Sequence, residues 1–243
     1  MPPLLPPGSP AAAPPVLTGR ALYERLAEAF GVPERDPDPS ESPTGDPPDP
    51  LERVVRALIS QHTSGANSRR AYASLRARFP TWDELRDAPP EAVAGAIWSA
   101  GLARQKAPRI KALLAHVEAQ RGALDLRFLY DLSDAEAMSW LRRLPGIGQT
   151  TAACTLLFAM RRPVMPVDGG ILRVARRVGI VPPNGSPDSV QRALEAGVPG
   201  EQIYPLHVNL IRFARELCTP REPACPICPL NDRCLSFRSG GAR

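Results

Sequence analysis

Four cysteines stand close together between residues 218 and 234, in the stretch CTPREPACPICPLNDRC. One close pair is flanked by two single cysteines, with spacings of six, two and five residues, namely Cys218, Cys225, Cys228 and Cys234. Zinc fingers and ribbons usually offer two close pairs that lie far apart. The spacing therefore favours an iron–sulfur cluster, with a zinc ion and a redox disulfide pair as alternatives. The fifth cysteine, Cys154, lies in the apolar run AACTLLF and is predicted to be a core thiol.

A second candidate for chemistry is the stretch LPGIGQTTAACTLLF, residues 144–158. Its proline ends the preceding helix, and its two glycines permit a tight turn that leaves backbone N–H groups exposed at the positive end of the next helix. Such a hairpin can hold a phosphate without recognising bases, although a plain turn between helices is the alternative. The residues predicted to contact a nucleic-acid backbone are Leu144, Gly146, Ile147, Gly148 and Gln149.

Asp168 is the third candidate, because it follows the run PVMPV and precedes the amphipathic segment ILRVARRV. Its local sequence predicts a helix N-cap, whose carboxylate accepts from the first turn. A carboxylate at a helix N-terminus is also kept ionised, as a catalytic carboxylate at the edge of a cleft would need to be. The two roles are compatible.

The elements that position these residues are predicted to be helices, because helical periodicity recurs along the chain and no segment shows sustained alternation. Capping boxes are expected at Thr81 with Glu84 and at Ser133 with Glu136, a helix start at Pro90 and a helix stop at Gly101. The fold class is therefore all-α. The predicted helices cover 19–30, from 51 towards 60, 105–120, 134–143, 150–160, the segment after 168, and 203–217.

The composition of the chain limits which partners it can bind and which reactions its side chains can carry out. The net charge of +5 suits a polyanion, and no apolar run approaches the roughly 18 residues that span a membrane. Thirty basic residues include only two lysines, Lys106 and Lys111, so that few amines could form a Schiff base. The proline-rich stretch 1–17 is predicted to be a disordered tail without a secretory signal, and 31–50 a polar loop.

Taken together, these motifs resemble those of endonuclease III and the wider helix-hairpin-helix DNA glycosylases. The resemblance runs from about 51 to 234 and rests on LISQHTS, GLARQKAPRIK, LPGIGQTTAACTLLF, VDGGILRVARRVG and the cysteine spacing. It implies two helical lobes that flank a DNA-binding cleft and a [4Fe-4S] cluster held by the four cysteines. The implied division is a hairpin lobe at 51–162, a cluster lobe at 18–50 and 163–238, and tails at 1–17 and 239–243.

The resemblance also implies roles for individual residues. Asp168 matches the family's catalytic carboxylate, which stabilises positive charge on the sugar or activates water once the target base has left the stack. Gln61 matches the glutamine that enters the vacated space, and His62 is expected either in the base pocket or buried. We expect a cytoplasmic monomer, nucleoid-associated if bacterial, which acts on double-stranded DNA with a damaged or mismatched base.

The sequence departs from the family pattern at two places. Thr150 stands where bifunctional members have a lysine nucleophile, and Gly169–Gly170 replaces the usual Thr-His. The first departure predicts a monofunctional DNA N-glycosylase, and the second leaves open a catalytically impaired relative that only recognises damage. A third alternative is lyase activity through Lys106 or Lys111, although a packing or DNA-backbone role suits Lys106 better.

Overall fold

The computed structural model describes residues 17–35 and 49–240, which contain α-helices and short 3₁₀ turns but no strand. This confirms the all-α class. The helices are α1 (Gly19–Phe30), α2 (Pro50–Ser60), α3 (Gly65–Arg78), α4 (Trp82–Asp87), α5 (Pro90–Ala96), α6 (Ala103–Arg121), α7 (Asp134–Leu141), α8 (Gln149–Cys154), α9 (Gly169–Val178), α10 (Pro187–Gly197), α11 (Ile203–Glu216) and α12 (Leu235–Arg238). A π-helical turn, Thr155–Ala159, continues α8.

The predicted tails and most of the predicted loop lie outside the described residues, which omit 1–16, 36–48 and 241–243. Leu17, assigned to the tail by its position, is described and is buried. The described helices include none that is both long and apolar enough to cross a membrane.

Short-range signals position several helix starts. Both predicted capping boxes are present, since Thr81 and Ser133 each accept from the backbone of the third helical residue, whose glutamate side chain accepts in return. Pro90 begins α5 as expected, and Gly101 ends a 3₁₀ turn with a φ of +64°. These contacts satisfy N–H and C=O groups that a helix end would otherwise leave without partners.

Two hydrophobic cores divide the molecule. The first runs from α2 to Val164, and the second joins α1 to the chain from Met165 onward. The hairpin helix reaches both cores, because Leu156 packs in the first and Leu157 in the second. The chain thus passes from one core to the other just before Asp168. The lobe boundaries that the family resemblance implies remain predictions.

Candidate nucleic-acid interface and catalytic site

The hairpin between α7 and α8 is anchored by apolar side chains. Leu144 and Ile147 are buried in the first core, and the Ile147 N–H donates to the Leu144 carbonyl at 3.1 Å. Gly146 has a φ of +79°, and a Cβ there would lie 3.3 Å from a methyl carbon of Leu58. The turn therefore needs glycine at 146. Leu144 and Ile147 hold the hairpin in place and do not present their side chains to solvent.

The outer side of the hairpin offers backbone groups. Gly146 and Gly148 are exposed, and Gly148 is the N-cap of α8 without a side-chain cap. The first N–H groups of a helix lack intrahelical partners, so they can donate to an anion. The Gln149 side chain turns inward, where its Nε2 donates to Gln191 Oε1 at 2.7 Å. The exposed main-chain groups of the hairpin thus fit the predicted contact with a nucleic-acid backbone.

Gln61 lies at the end of α2 beside the hairpin, where its Nε2 donates to the Gly146 carbonyl at 3.3 Å. His62 follows it with a φ of +54° and an exposed side chain, so the alternative of a buried histidine is wrong. The helix ends at Ser60, which removes His62 from the apolar face of α2.

Both lysines bind main-chain carbonyls at helix ends. Lys106 is 3% exposed, and its Nζ donates to Ile59 O at 2.7 Å and to Thr63 Oγ1 and Ala100 O at 2.9 Å each. Burial lowers the pKa of Lys106. Lys111 Nζ contacts the carbonyls of the last turn of α4, at Arg86 and Ala88. Cations are stabilised at helix C-termini, so this geometry indicates a structural role for both side chains.

Leu102 was not predicted as a site residue. Three non-glycine residues in the described part of the chain have positive φ angles, namely His62, Leu102 and Arg161. Leu102 is 50% exposed, and the nearby Trp98 is 70% exposed. Both residues border an open groove. Lys106 connects this segment of the chain to α2. Strained backbone at exposed apolar residues is typical of functional surfaces. An apolar residue directly after a helix-stopping glycine is the sequence signal that could have found it.

Asp168 is half-buried and forms the N-cap of α9, where its Oδ1 accepts from the Ile171 N–H at 2.8 Å. The predicted cap is therefore present. A Cβ on Gly170 would lie 3.2 Å from both Asp168 Oδ1 and Ala214 Cβ, while one on Gly169 would meet nothing within 4 Å. The glycine at 170 thus makes room for the carboxylate, and α9 begins directly after Asp168 although two glycines open it.

Thr150 lies beside the residue that precedes Asp168. Its Oγ1 donates to the Val167 carbonyl at 2.8 Å and so joins α8 to the start of α9. Cys154 lies one turn further along α8. It is half-buried and forms no disulfide, which is compatible with a packed thiol. Burial, together with the smaller effect of the Asp168 charge, raises the pKa of Cys154 to about 12, against an opposing effect of Arg53. The thiol near Asp168 is therefore neutral.

His207 on α11 was missed by the sequence analysis. It is 6% exposed, and its Nδ1 lies 3.2 Å from the Pro166 carbonyl. Burial lowers the pKa of His207 to about 4, against the opposing effects of that hydrogen bond and of the Asp168 charge. The ring is neutral at physiological pH, and the carbonyl requires its proton on Nδ1. An isolated histidine in an apolar helix gives no sequence signal for this contact.

The four clustered cysteines line one pocket between α9, α11 and α12. None of them forms a disulfide. Within residues 17–35 and 49–240, no three His, Cys, Asp or Glu side chains are grouped so as to hold a single metal ion. Thiols are the donors that both iron–sulfur clusters and structural zinc ions take, so the chemistry of the four side chains fits a metal centre of either kind.

Arginines of α9 fasten the cysteine loop to the second core. Arg177 donates to Cys218 Sγ at 3.4 Å and to Thr219 O at 2.7 Å, and Arg173 donates to Cys218 O at 3.1 Å. Burial raises the pKa of Cys228 to about 11.

Comparison with known proteins gives a family match. The HhH-GPD superfamily base excision DNA repair protein family matches residues 55–199. "Putative DNA glycosylase At3g47830" of Arabidopsis thaliana is 35% identical over 160 residues, which span 66% of this chain but only 55% of that protein. Endonuclease III of Thermotoga maritima is 30% identical over 193 residues, which span 79% of this chain and 86% of that protein.

Solved structures share the fold. A trapped endonuclease III–DNA covalent intermediate superposes with a TM-score of 0.69 at 24% identity, over 91% of this chain and 96% of that one. A thermostable thymine-DNA glycosylase superposes with a TM-score of 0.72 at 19% identity, over 91% and 97%. At these identities the likeness shows the fold alone.

Proposed function

The chain belongs to the HhH-GPD superfamily of base excision DNA repair proteins and is a DNA glycosylase of that family, and from this premise we propose that it is monofunctional. It would hydrolyse the N-glycosidic bond of a damaged or mismatched base in double-stranded DNA and leave the strand intact. The observation that supports this most directly is the hydrogen bond from Thr150 to Val167, beside Asp168, at the position where a lysine nucleophile would stand.

The proposed hydrolysis uses Asp168 and water. A base must leave the stack before its bond to the sugar can be reached. As that bond breaks, positive charge develops on the sugar, and an ionised carboxylate stabilises it or accepts a proton from the attacking water. The water oxygen bonds to C1′, the bonding electrons leave with the base, and a proton completes the free base. The product is an abasic site.

Within residues 17–35 and 49–240, neither lysine is free to form the Schiff base that strand cleavage requires. The Thr150 hydroxyl donates its proton to the Val167 carbonyl, which is not a general base that could activate it as a nucleophile. Lys106 is buried among three acceptors, and Lys111 binds the end of α4. Both lysines would have to leave these carbonyls before they could attack a sugar.

The DNA would lie across the hairpin. The N–H groups at the start of α8 suit one phosphate, and Gln61 stands next to the hairpin where it could fill the space left by the extracted base. Leu102, exposed and held with a left-handed backbone, offers apolar surface to the same region. His62 adds an exposed imidazole beside Gln61.

We propose further that the four cysteines hold a [4Fe-4S] cluster. The four thiols line a single pocket, and the loop is already fastened to α9 by Arg177. When bound, the cluster would supply iron–thiolate bonds that cross-link the loop. The residues that would hold it are Cys218, Cys225, Cys228 and Cys234.

A panel of duplexes with single lesions tests the proposal. Oxidised pyrimidines, uracil or thymine in mismatches, and alkylated bases are incubated with the protein and analysed with and without alkali, which cuts abasic sites. We expect base release with strand breaks only after alkali. Asp168→Asn should abolish release and retain lesion binding, because the shape is kept while the charge is lost. Absence of release by the wild type from every lesion would favour a binding protein without catalysis.

Thr150→Lys provides the complementary gain of function. An amine at this position would lie at the N-terminus of α8, whose positive end disfavours the ammonium form and so opposes the effect of the nearby Asp168 carboxylate. We expect the variant, and not the wild type, to form an enzyme–DNA adduct that borohydride traps on abasic DNA. Equal trapping of the wild type would show that another amine acts as nucleophile and would contradict the monofunctional proposal.

A further inference from the structure

Four consecutive residues, 165–168, form a segment that is bonded at each position to a different helix. We call it the aspartate segment. Its hydrogen bonds reach α10, α11, α8 and α9 in that order. They join Met165 N to Glu195 Oε1 at 2.8 Å, Pro166 O to His207 Nδ1 at 3.2 Å, Val167 O to Thr150 Oγ1 at 2.8 Å and Asp168 Oδ1 to Ile171 N at 2.8 Å.

Part of the restraint on Asp168 comes from the residues before it. Gly169 and Gly170 follow, and glycine permits more backbone conformations than any other residue. Residues 165–167 are buried, so each carbonyl that lost its donor would stay without a partner inside the protein. The two side chains that donate to these carbonyls therefore favour a single position of the main chain that leads into Asp168.

On the basis of the glycosylase activity proposed above, we propose that Thr150 and His207 are positioning residues that hold the Asp168 carboxylate through the carbonyls of Val167 and Pro166. Thr150 thus has a function of its own at the position where an amine is missing. Neither side chain needs to touch the substrate in this role.

The hairpin reaches the aspartate segment by two routes. Thr150 bonds to it directly, while Gln149 donates to Gln191, which donates to Glu195 at 2.9 Å, the acceptor of the Met165 N–H. The first two residues of α8 are therefore both linked to this segment. These bonds fix the position of the hairpin relative to Asp168. The backbone groups that would hold the phosphate therefore keep a constant distance from the carboxylate that would face the sugar.

Paired variants test this role. Thr150→Val and His207→Leu remove the donors, whereas Thr150→Ser and His207→Asn keep a donor at a similar position. We expect the first two to lower the single-turnover rate of base release roughly 10- to 100-fold. Their affinity for a duplex with a tetrahydrofuran abasic analogue should change less than about twofold, because the hairpin surface is kept. Thr150→Ser and His207→Asn should recover most of the rate.

A structural readout makes the test independent of activity. The Ile171 amide is protected by Asp168, so hydrogen exchange at this amide reports how firmly the carboxylate is held. Exchange should accelerate in Thr150→Val and His207→Leu and stay close to wild type in their conservative partners. Unchanged exchange would overturn the positioning role, as would equal rates for Thr150→Val and Thr150→Ser. A wild type that releases no base would contradict the proposed function, and the exchange result would still decide the positioning role.

Discussion

Acidification should destabilise the protein through His207. The ring is buried in α11, donates to the Pro166 carbonyl and packs edge-on against Phe158 with 5.5 Å between ring centroids. Burial lowers the pKa of His207 from 6.5 to about 4. In the unfolded chain the imidazole meets water and regains its usual pKa. The unfolded state therefore binds a proton at a pH where the folded state does not.

The sign and the size of the pH effect on stability follow from this difference in pKa between the folded and the unfolded state. The stability contributed by the neutral ring is complete above pH 6.5 and is lost as the pH falls from there towards 4. At about 1.4 kcal/mol per pKa unit, the whole effect is about 3 kcal/mol, of which about 2 kcal/mol is lost between pH 7 and pH 5. This is a large share of the stability of an ordinary domain.

Urea unfolding at constant ionic strength, followed by circular dichroism at several pH values, measures the effect. Because carboxylates titrate in the same range, the quantity to compare is the difference between the wild type and His207→Asn, which has no titrating group at this position. The difference in unfolding free energy should change by about 2 kcal/mol between pH 7 and pH 5. His62→Asn removes an exposed imidazole and serves as the matched control for the loss of a histidine side chain.

Parallel pH profiles for the wild type and His207→Asn would refute the reasoning. They would mean that the imidazole is solvated or protonated in the folded protein, contrary to its burial and its contact with Pro166. An NMR titration of the His207 ring decides directly, since its resonances should stay constant from pH 7 to about 5.

Three other measurements bear on the site. Lys106→Met should lower the unfolding free energy by roughly 3 kcal/mol, because three buried acceptors lose a charged donor; a fully stable variant would return Lys106 to the list of candidate nucleophiles. Protein prepared anaerobically should be brown and contain about four iron and four sulfide per chain, whereas one zinc per chain without visible absorption would exclude the cluster. Duplex affinity should fall about 100-fold between 50 and 200 mM salt if about four phosphates are contacted, and a flat dependence would contradict a backbone-binding hairpin.

The sequence by itself determined the features that depend on neighbours along the chain. The capping boxes at Thr81 and Ser133 and the N-cap at Asp168 formed as predicted, because each cap joins groups three residues apart. Helical periodicity was enough for the all-α class. The order of the motifs was enough for the family, since the hairpin and the aspartate occur together at their usual separation. Two of the longer helices, α3 and α10, were left without predicted bounds, because their buried positions are few, namely Ala71, Tyr72 and Leu75 in α3 and Val190 and Leu194 in α10.

Tertiary structure alone decided which side chains meet across long separations. His207 reaches Pro166 over 41 residues, and Lys106 reaches Ile59 over 47, so no local pattern could reveal either contact. The same holds for Thr150, whose sequence position showed only that an amine was missing, while the folded chain gives its hydroxyl the Val167 carbonyl. Packing of α8, α10 and α11 around residues 165–168 brings these donors and acceptors together. A hydrogen bond between distant residues depends on that packing, which the local sequence does not encode.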